Sequence, residues 1–311
     1  MKQEIIKIAK DNLADLVGFA SANDFDKNDP IFKIYPNTKT VIALAFRVLR
    51  GVYRGTEEGT TYYQYTTMAV ENMEETIMPM AQIKVANFIE SKGFIAVPQR
   101  RHQQIMAQDN STNPEVAYDA IYRNKAAENQ MNFLDAAVKC GIGEKGLSGA
   151  LLTDDFGPMV RYCFILTDLE IEPDEVKKAH LCDNCGKCIK ACPGNAISQT
   201  GEVDPWQCAV YYNGANGTKN PFMPFDAFSD FDNRLEIIAG KANVTPETAK
   251  KILDEIFFYP PAQHAYQCSI CGRACDTACY VHLEEKGVLS KKFNRPFRTR
   301  EEWKFCIDDF K

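Results

Sequence analysis

The stretch that decides the fold is "CDNCGKCIKACPGNAI", Cys182 to Ile197. Four cysteines stand two, two and three residues apart, and proline follows the last. In a C-x2-C-x2-C turn, three thiolates can surround one cuboidal iron–sulfur cluster while backbone N–H groups point at its sulfides. A fourth cysteine, redirected by proline, serves a neighbouring cluster. Gly186 permits the tight backbone path between them. Zinc knots use two separated pairs of ligands, so an unbroken run of four argues against zinc.

A second group, "CSICGRACDTAC", supplies Cys268, Cys271, Cys275 and Cys279, and Cys208 lies between the two groups. That makes nine ligand candidates, one more than two clusters with four cysteines each would use. Spacing alone does not choose the spare. Of the twelve cysteines in the chain, the other three, Cys140, Cys163 and Cys306, stand apart and read as buried apolar residues. Clustering of this kind signals metal ligation in a reducing compartment, not disulfides.

Working outward, the 311 residues are 45% hydrophobic and 25% charged, which is ordinary globular composition with room for a sizeable core. The formal charge of −6 points away from nucleic acid as the main partner. The N-terminus "MKQEIIKIAKDNLADLVGF" lacks a signal-peptide core and a twin-arginine start. Val41–Phe46, the longest apolar run, is far too short to span a bilayer. These features predict a soluble, cytoplasmic protein with no membrane contact.

Residues 1–17 predict an amphipathic helix with Ile5, Ile8, Ala9, Leu13 and Leu16 on one face. "TVIALAF" (40–46), "FIAV" (94–97) and "MVRYCFILT" (159–167) read as strands. A helical pattern runs from 67 to 92, with Met73, Ile77, Met80, Ile83 and Phe88 near one stripe and a kink or break at Pro79. Another runs from 126 to 140 and stops at Gly141. The alternation predicts an α/β or α+β domain over 1–172. A two-cluster module of bacterial-ferredoxin type is expected over 173–311, interrupted by an insertion at about 213–263. Within that insertion "TPETAKKILDEIFF" predicts a helix capped by Thr245, with Pro246 in its first turn.

Several stretches resemble the epoxyqueuosine reductases and the related reductive dehalogenases. They are "ADLVGFASANDF", "YPNTKTVIALAF", "GIGEKGLSGALLTDDFGPMVRYCFILTDLEIEPDE", the first cysteine motif, "CAVYY" at Cys208 and "CSICGRAC" at Cys268. The resemblance implies an α+β chain: a nitroreductase-like α/β domain that binds a corrinoid, then the ferredoxin-like module. It implies that Cys182, Cys185, Cys188 and Cys275 hold one [4Fe–4S] cluster and Cys192, Cys208, Cys268 and Cys271 the other. Cys279 is then the spare, or the alternative to Cys275. It further implies a base-off cobalamin approached by Gly141, Gly143, Lys145, Gly146, Ser148 and Gly149.

On that pattern the protein is an oxidoreductase. An external low-potential donor such as ferredoxin or flavodoxin supplies single electrons, the clusters relay them to cobalt, and a small organic substrate is reduced. The proton-donating aspartate of the epoxyqueuosine reductases has no counterpart in "PQRRHQQ". Arg100, Arg101, His102, Tyr118 and Tyr122 are the candidate catalytic residues. The helical repeats of many of those enzymes are missing, and the basic segment Lys291–Arg300 reads as solvated. Both features point to a small molecule instead of tRNA. Two other functions fit the same motifs: an iron–sulfur electron-transfer protein, and a reductive activator of a partner corrinoid protein.

Overall fold

The computed structural model describes residues 1–60, 64–99, 131–256 and 269–311. Helix α1 spans Lys2–Asp11 and buries Ile5 and Ala9. It ends earlier than the expected helix because Leu13 adopts a left-handed conformation (φ 74°) and turns 65% exposed. Leu16 begins a strand instead, β1, Leu16–Ser21. Helix α2 (Pro30–Ile34) has Asp29 as its N-cap, accepting from the Ile31 N–H at 3.0 Å. Strand β2 (Thr40–Arg47) and helix α3 (Arg50–Glu58) follow.

The expected long helix is broken into segments. Tyr65–Glu71 and Met73–Ile77 are wound as π-helix, and only Met78–Ser91 (α4) is α-helical. Pro79 sits in the first turn of α4, just after the π-wound segment ends. A π-turn takes up more residues than an α-turn, so a stripe drawn at α-helical spacing loses phase across 65–77. Met73 is buried, but Met80 and Ile83 are each 51% exposed, and α4 buries Met78, Ala81, Val85 and Ile89 in their place.

Strand β3 (Ala96–Gln99) comes next, then helix α5 (Phe133–Lys139), capped by Asn132. Short strands β4 (Glu144–Lys145) and β5 (Leu151–Leu152) pair as a ribbon, and β6 is Val160–Thr167. The main sheet runs β1-β2-β6-β3, and every neighbouring pair is antiparallel. This sheet is covered on both faces. Ile42, Leu44, Cys163 and Ile165 point to α1 and α4, while Val41, Ala43, Phe164 and Leu166 point to α2 and α5. Two buried faces explain why "TVIALAF" and "RYCFILT" are continuously apolar.

The remaining helices are α6 (Lys187–Ala191), α7 (Pro205–Tyr212), α8 (Arg234–Ile238), α9 (Pro246–Glu255) and α10 (Ala274–Glu285). Thr245 caps α9 as expected, accepting from the Thr248 N–H at 3.2 Å. Residues from α7, α8 and α9 form a core of their own around Trp206, Tyr211, Ile238 and Ile252.

A fourth core joins the two halves of the chain. Val52, Tyr53, Tyr65, Leu152 and Met159 pack there with Leu181, Tyr280, Leu283 and Phe297.

Residues 291–296 are exposed, as expected of a solvated stretch, but the C-terminal segment is docked at Phe297 and Arg298. Arg298 and Arg300 pair with Glu57 and Glu58 of α3, and Phe297 is 2% exposed. Cys140 and Cys163 are buried as expected, but Cys306, on that segment, is exposed. Among the described residues no helix is long and apolar enough to cross a membrane.

Candidate metal centre

The loop that opens the first cysteine motif is anchored by a carboxylate from the sheet domain. Glu144, 4% exposed, accepts from the backbone N–H groups of His180 (2.6 Å), Leu181 (3.1 Å) and Cys182 (2.8 Å). Charge-assisted bonds of this sort are the stronger class. Cys182 is thereby held against the ribbon, and the Leu147 N–H donates to its Sγ at 3.3 Å. Asn184 and Gly186 take left-handed conformations (φ 57° and 69°), which curl the loop into α6.

Cys182, Cys185, Cys188 and Cys279 line one cavity of about 330 Å³. Cys279 therefore joins the first three thiols, where Cys275 was expected. Helix periodicity is the physical reason. Cys275 and Cys279 lie four residues apart on α10, on one face and about one turn (roughly 5.4 Å) apart along the axis. The turn carrying Cys279 faces the first loop. The turn carrying Cys275 is within electrostatic reach of Cys208 and Cys271, and Cys271 in turn of Cys208 and Cys192. Cys268 lies outside the described residues.

Burial is the leading cause that pushes up the thiols of Cys188, Cys208, Cys275 and Cys279. Cys271 is pushed up to about 12, again by burial first. Thiols so placed ionise only when a metal compensates the charge. The Ala196 N–H donates to Cys192 Sγ at 3.2 Å, a second amide aimed at sulfur. Converging thiols, a cavity and amide donors fit iron–sulfur clusters.

The residues expected at a corrinoid have other duties. A Cβ on Gly141 would meet Glu175 O at 2.6 Å, one on Gly143 would meet Leu152 O at 2.2 Å, and one on Gly146 the Leu152 side chain at 3.1 Å. These glycines let the chain pack against itself. Lys145 is exposed on β4, and Ser148 lines the cysteine cavity. Gly149 lines a second cavity, of about 340 Å³.

That second cavity lies between β5, β6 and the start of α10, and Tyr53, Arg161, Arg273 and Asp276 face it. Arg161, 7% exposed, donates to the Tyr65 hydroxyl at 2.6 Å and lies 3.4 Å from Glu74. Arg273 forms a two-point pair with Asp276, at 2.7 and 3.1 Å. Sequence reading overlooked these groups, although an arginine inside the apolar run "MVRYCFILT" was a visible signal. The candidates Arg100, Arg101, His102, Tyr118 and Tyr122 all lie outside the described residues.

The geometry now meets its relatives. A model of the 4Fe-4S binding domain matches residues 176–198. The tetrachloroethene reductive dehalogenase of Dehalobacter restrictus is 41% identical over 83 residues, which cover 25% of this chain and 15% of the dehalogenase. The epoxyqueuosine reductase of Bacillus subtilis is 20% identical over 273 residues, covering 76% of this chain and 60% of the reductase. The chain is similar to both groups of reductases.

A solved catabolic reductive dehalogenase shares the fold at a TM-score of 0.50 and 16% identity, covering 81% of this chain and 33% of that one. The mixed helix and sheet architecture with a ferredoxin-like region thus agrees with expectation. This chain spans less than two thirds of the length of each of the relatives named here.

Proposed function

We propose that this chain is an iron–sulfur oxidoreductase whose two [4Fe–4S] clusters carry single electrons to the polar cavity beside the second. Cys182, Cys185, Cys188 and Cys279 hold the first cluster; Cys192, Cys208 and Cys271 hold the second, with Cys268 or Cys275 as its fourth ligand. The observation that carries the reading is the gathering of four cysteines, three from the first motif and one from α10, on one cavity. Cys185 is exposed, so a low-potential one-electron protein such as a ferredoxin or flavodoxin reaches the first cluster from solvent. Arg273 and Asp276 connect the second cluster's ligand loop to the cavity, where a small polar molecule is reduced.

The nitroreductase-like fold of the sheet domain and the boundary near residue 172 belong to the same proposal. So does the assignment of a cobamide, which rests on the reductase relatives. Gly141, Gly143 and Gly146 pack on the chain's own backbone and side chains, which leaves Lys145, Ser148 and Gly149 as the candidates for contact with that group. Nor does net charge exclude nucleic acid, since the epoxyqueuosine reductases act on tRNA.

The test is anaerobic reconstitution followed by absorption and electron paramagnetic resonance spectra, with and without added cobalamin. About eight iron atoms per chain, as two cubanes with four thiolates each require, and a base-off cobalt signal on adding cobalamin are the expected result. Absence of that signal removes the cobamide and leaves the clusters as the only redox groups. Iron for a single cluster overturns the two-cluster proposal.

A further inference from the structure

Charge is unevenly spread over this acidic chain. Residues 177–190 carry Lys177, Lys178, Lys187 and Lys190 against a single acid, Asp183. Residues 285–295 carry Lys286, Lys291, Lys292 and Arg295 against Glu285 alone. The chain as a whole has 36 basic residues and 42 acidic ones, so these two stretches run against the average. All eight of their basic residues are exposed.

The fold brings both stretches together. Lys187 of α6 pairs with Glu285 at 3.0 Å, and Lys286 with Asp183 at 2.8 Å. His282 reaches the same Asp183 carboxylate at 2.9 Å. At a second point Lys177 pairs with Asp154, whose carbonyl accepts from the Ser290 N–H at 2.8 Å. Cys185 shares this surface: it is exposed, and its Sγ lies within 4.8 Å of ligand atoms on Asp183 and His282. The ion pairs occupy Lys177, Lys187 and Lys286. The other five basic residues add charge that Asp154, Asp183 and Glu285 do not cancel. Phe293, 46% exposed, stands among them.

We propose that this basic face is the docking surface of the external electron donor, and that the donor is a ferredoxin with an acidic surface. The inference rests on the electron-entry role given to the first cluster above; it adds where the carrier binds and what charge it bears. Like charges gathered on one face steer an oppositely charged protein and raise the rate of encounter. Electron-transfer contacts are small and weak, so charge, more than buried area, brings the carrier to Cys185. Lysines also attract RNA, but this face includes an exposed cluster ligand, which a redox carrier needs and an RNA does not. The step is balanced: the reduced carrier loses one electron, the oxidised first cluster gains it, and no bond or proton moves.

The test mixes the full reconstituted chain with a reduced plant-type ferredoxin, chosen for its acidic surface, in anaerobic stopped-flow absorbance. The second-order rate is expected to fall steeply as salt screens the two surfaces. Reversing two charges outside the ion pairs, Lys190→Glu with Lys291→Glu, should lower the rate about tenfold at low salt. The deficit should close as salt rises. Iron content and both cluster signals after dithionite should match the wild type. Should the double variant fail to assemble, Lys190→Gln and Lys291→Gln singly should each give a smaller fall in the same direction.

No reduction of the wild type, a rate independent of salt, or an unchanged rate in variants that hold both clusters overturns the inference. A tRNA stem-loop retarded by the wild type and released by the reversals, with the ferredoxin rate unchanged, assigns the face to nucleic acid and overturns it too. Wild-type protein carrying a single cluster overturns the two-cluster reading beneath it, by iron and sulfide analysis alone.

Discussion

Cys279 shows how much one helical turn can decide. Nine cysteines compete for two sets of four, and the choice between Cys275 and Cys279 amounts to which turn of α10 faces the first loop. The cavity beside Cys182, Cys185 and Cys188 is lined by Cys279. Cys279→Ser is therefore expected to lower iron content by about half, one cluster of two, and to remove one cluster signal. Iron analysis that finds both clusters intact in Cys279→Ser would overturn that assignment. Both readings were open from spacing, because C-x2-C-x3-C and C-x3-C-x3-C overlap within the same twelve residues.

At the level of elements, the C-terminal segment acts as a strap. It crosses α3 through the ion pairs of Glu57 and Glu58 and through the Trp303 N–H, which donates to Glu57 O at 2.9 Å. It then reaches the insertion, where the Phe305 N–H donates to Thr218 O at 2.8 Å. Both carboxylates are largely buried while the arginines stay partly exposed, so removing Arg298 leaves the buried Glu57 charge uncompensated; the strap also has buried apolar contacts.

Gly59 is one of these contacts. It caps α3 at φ 72°, and a Cβ there would stand 2.6 Å from the Trp303 indole. Gly59→Ala should destabilise the chain by about 1–3 kcal/mol, the cost of a non-glycine residue in that conformation. Chemical denaturation measures the loss. Trp303 fluorescence should shift to the red as the indole is displaced, and an unchanged spectrum would mean the strap gives way without strain. A stretch as basic as "KKFNRPFRTR" looks solvated in sequence; its partners lie more than 200 residues away.

Across the whole molecule, the core shared by Tyr53, Tyr65 and Leu152 with Tyr280, Leu283 and Phe297 ties the sheet domain to the cysteine module. A boundary near residue 172 separates sequence patterns, but this core crosses it. Thiolate ligands bind metal at the cost of holding a folded loop, so metal loss should weaken both halves together. Stripping the clusters with a chelator is expected to lower the melting temperature while calorimetry still records a single transition. Two separate transitions, with only the later part of the chain affected, would mean that each half folds alone.

Sequence by itself determined the chemistry. Iron–sulfur ligation follows from local spacing within "CDNCGKCIKACP", the two central strands from unbroken apolar runs, and the α9 cap from Thr245 and Pro246, because each is a short-range property of the backbone. Only the tertiary structure decided which thiols share a cavity, that Glu144 anchors the first loop, and that Arg161, Arg273 and Asp276 meet at one cavity. Those groups are brought together by β6, the ribbon and α10, and no local pattern encodes proximity between residues so distant along the chain. The glycines of "GIGEKGLSG" mark the same divide. Their spacing announces a close approach, and only the fold reveals that what approaches Gly141, Gly143 and Gly146 is the chain itself.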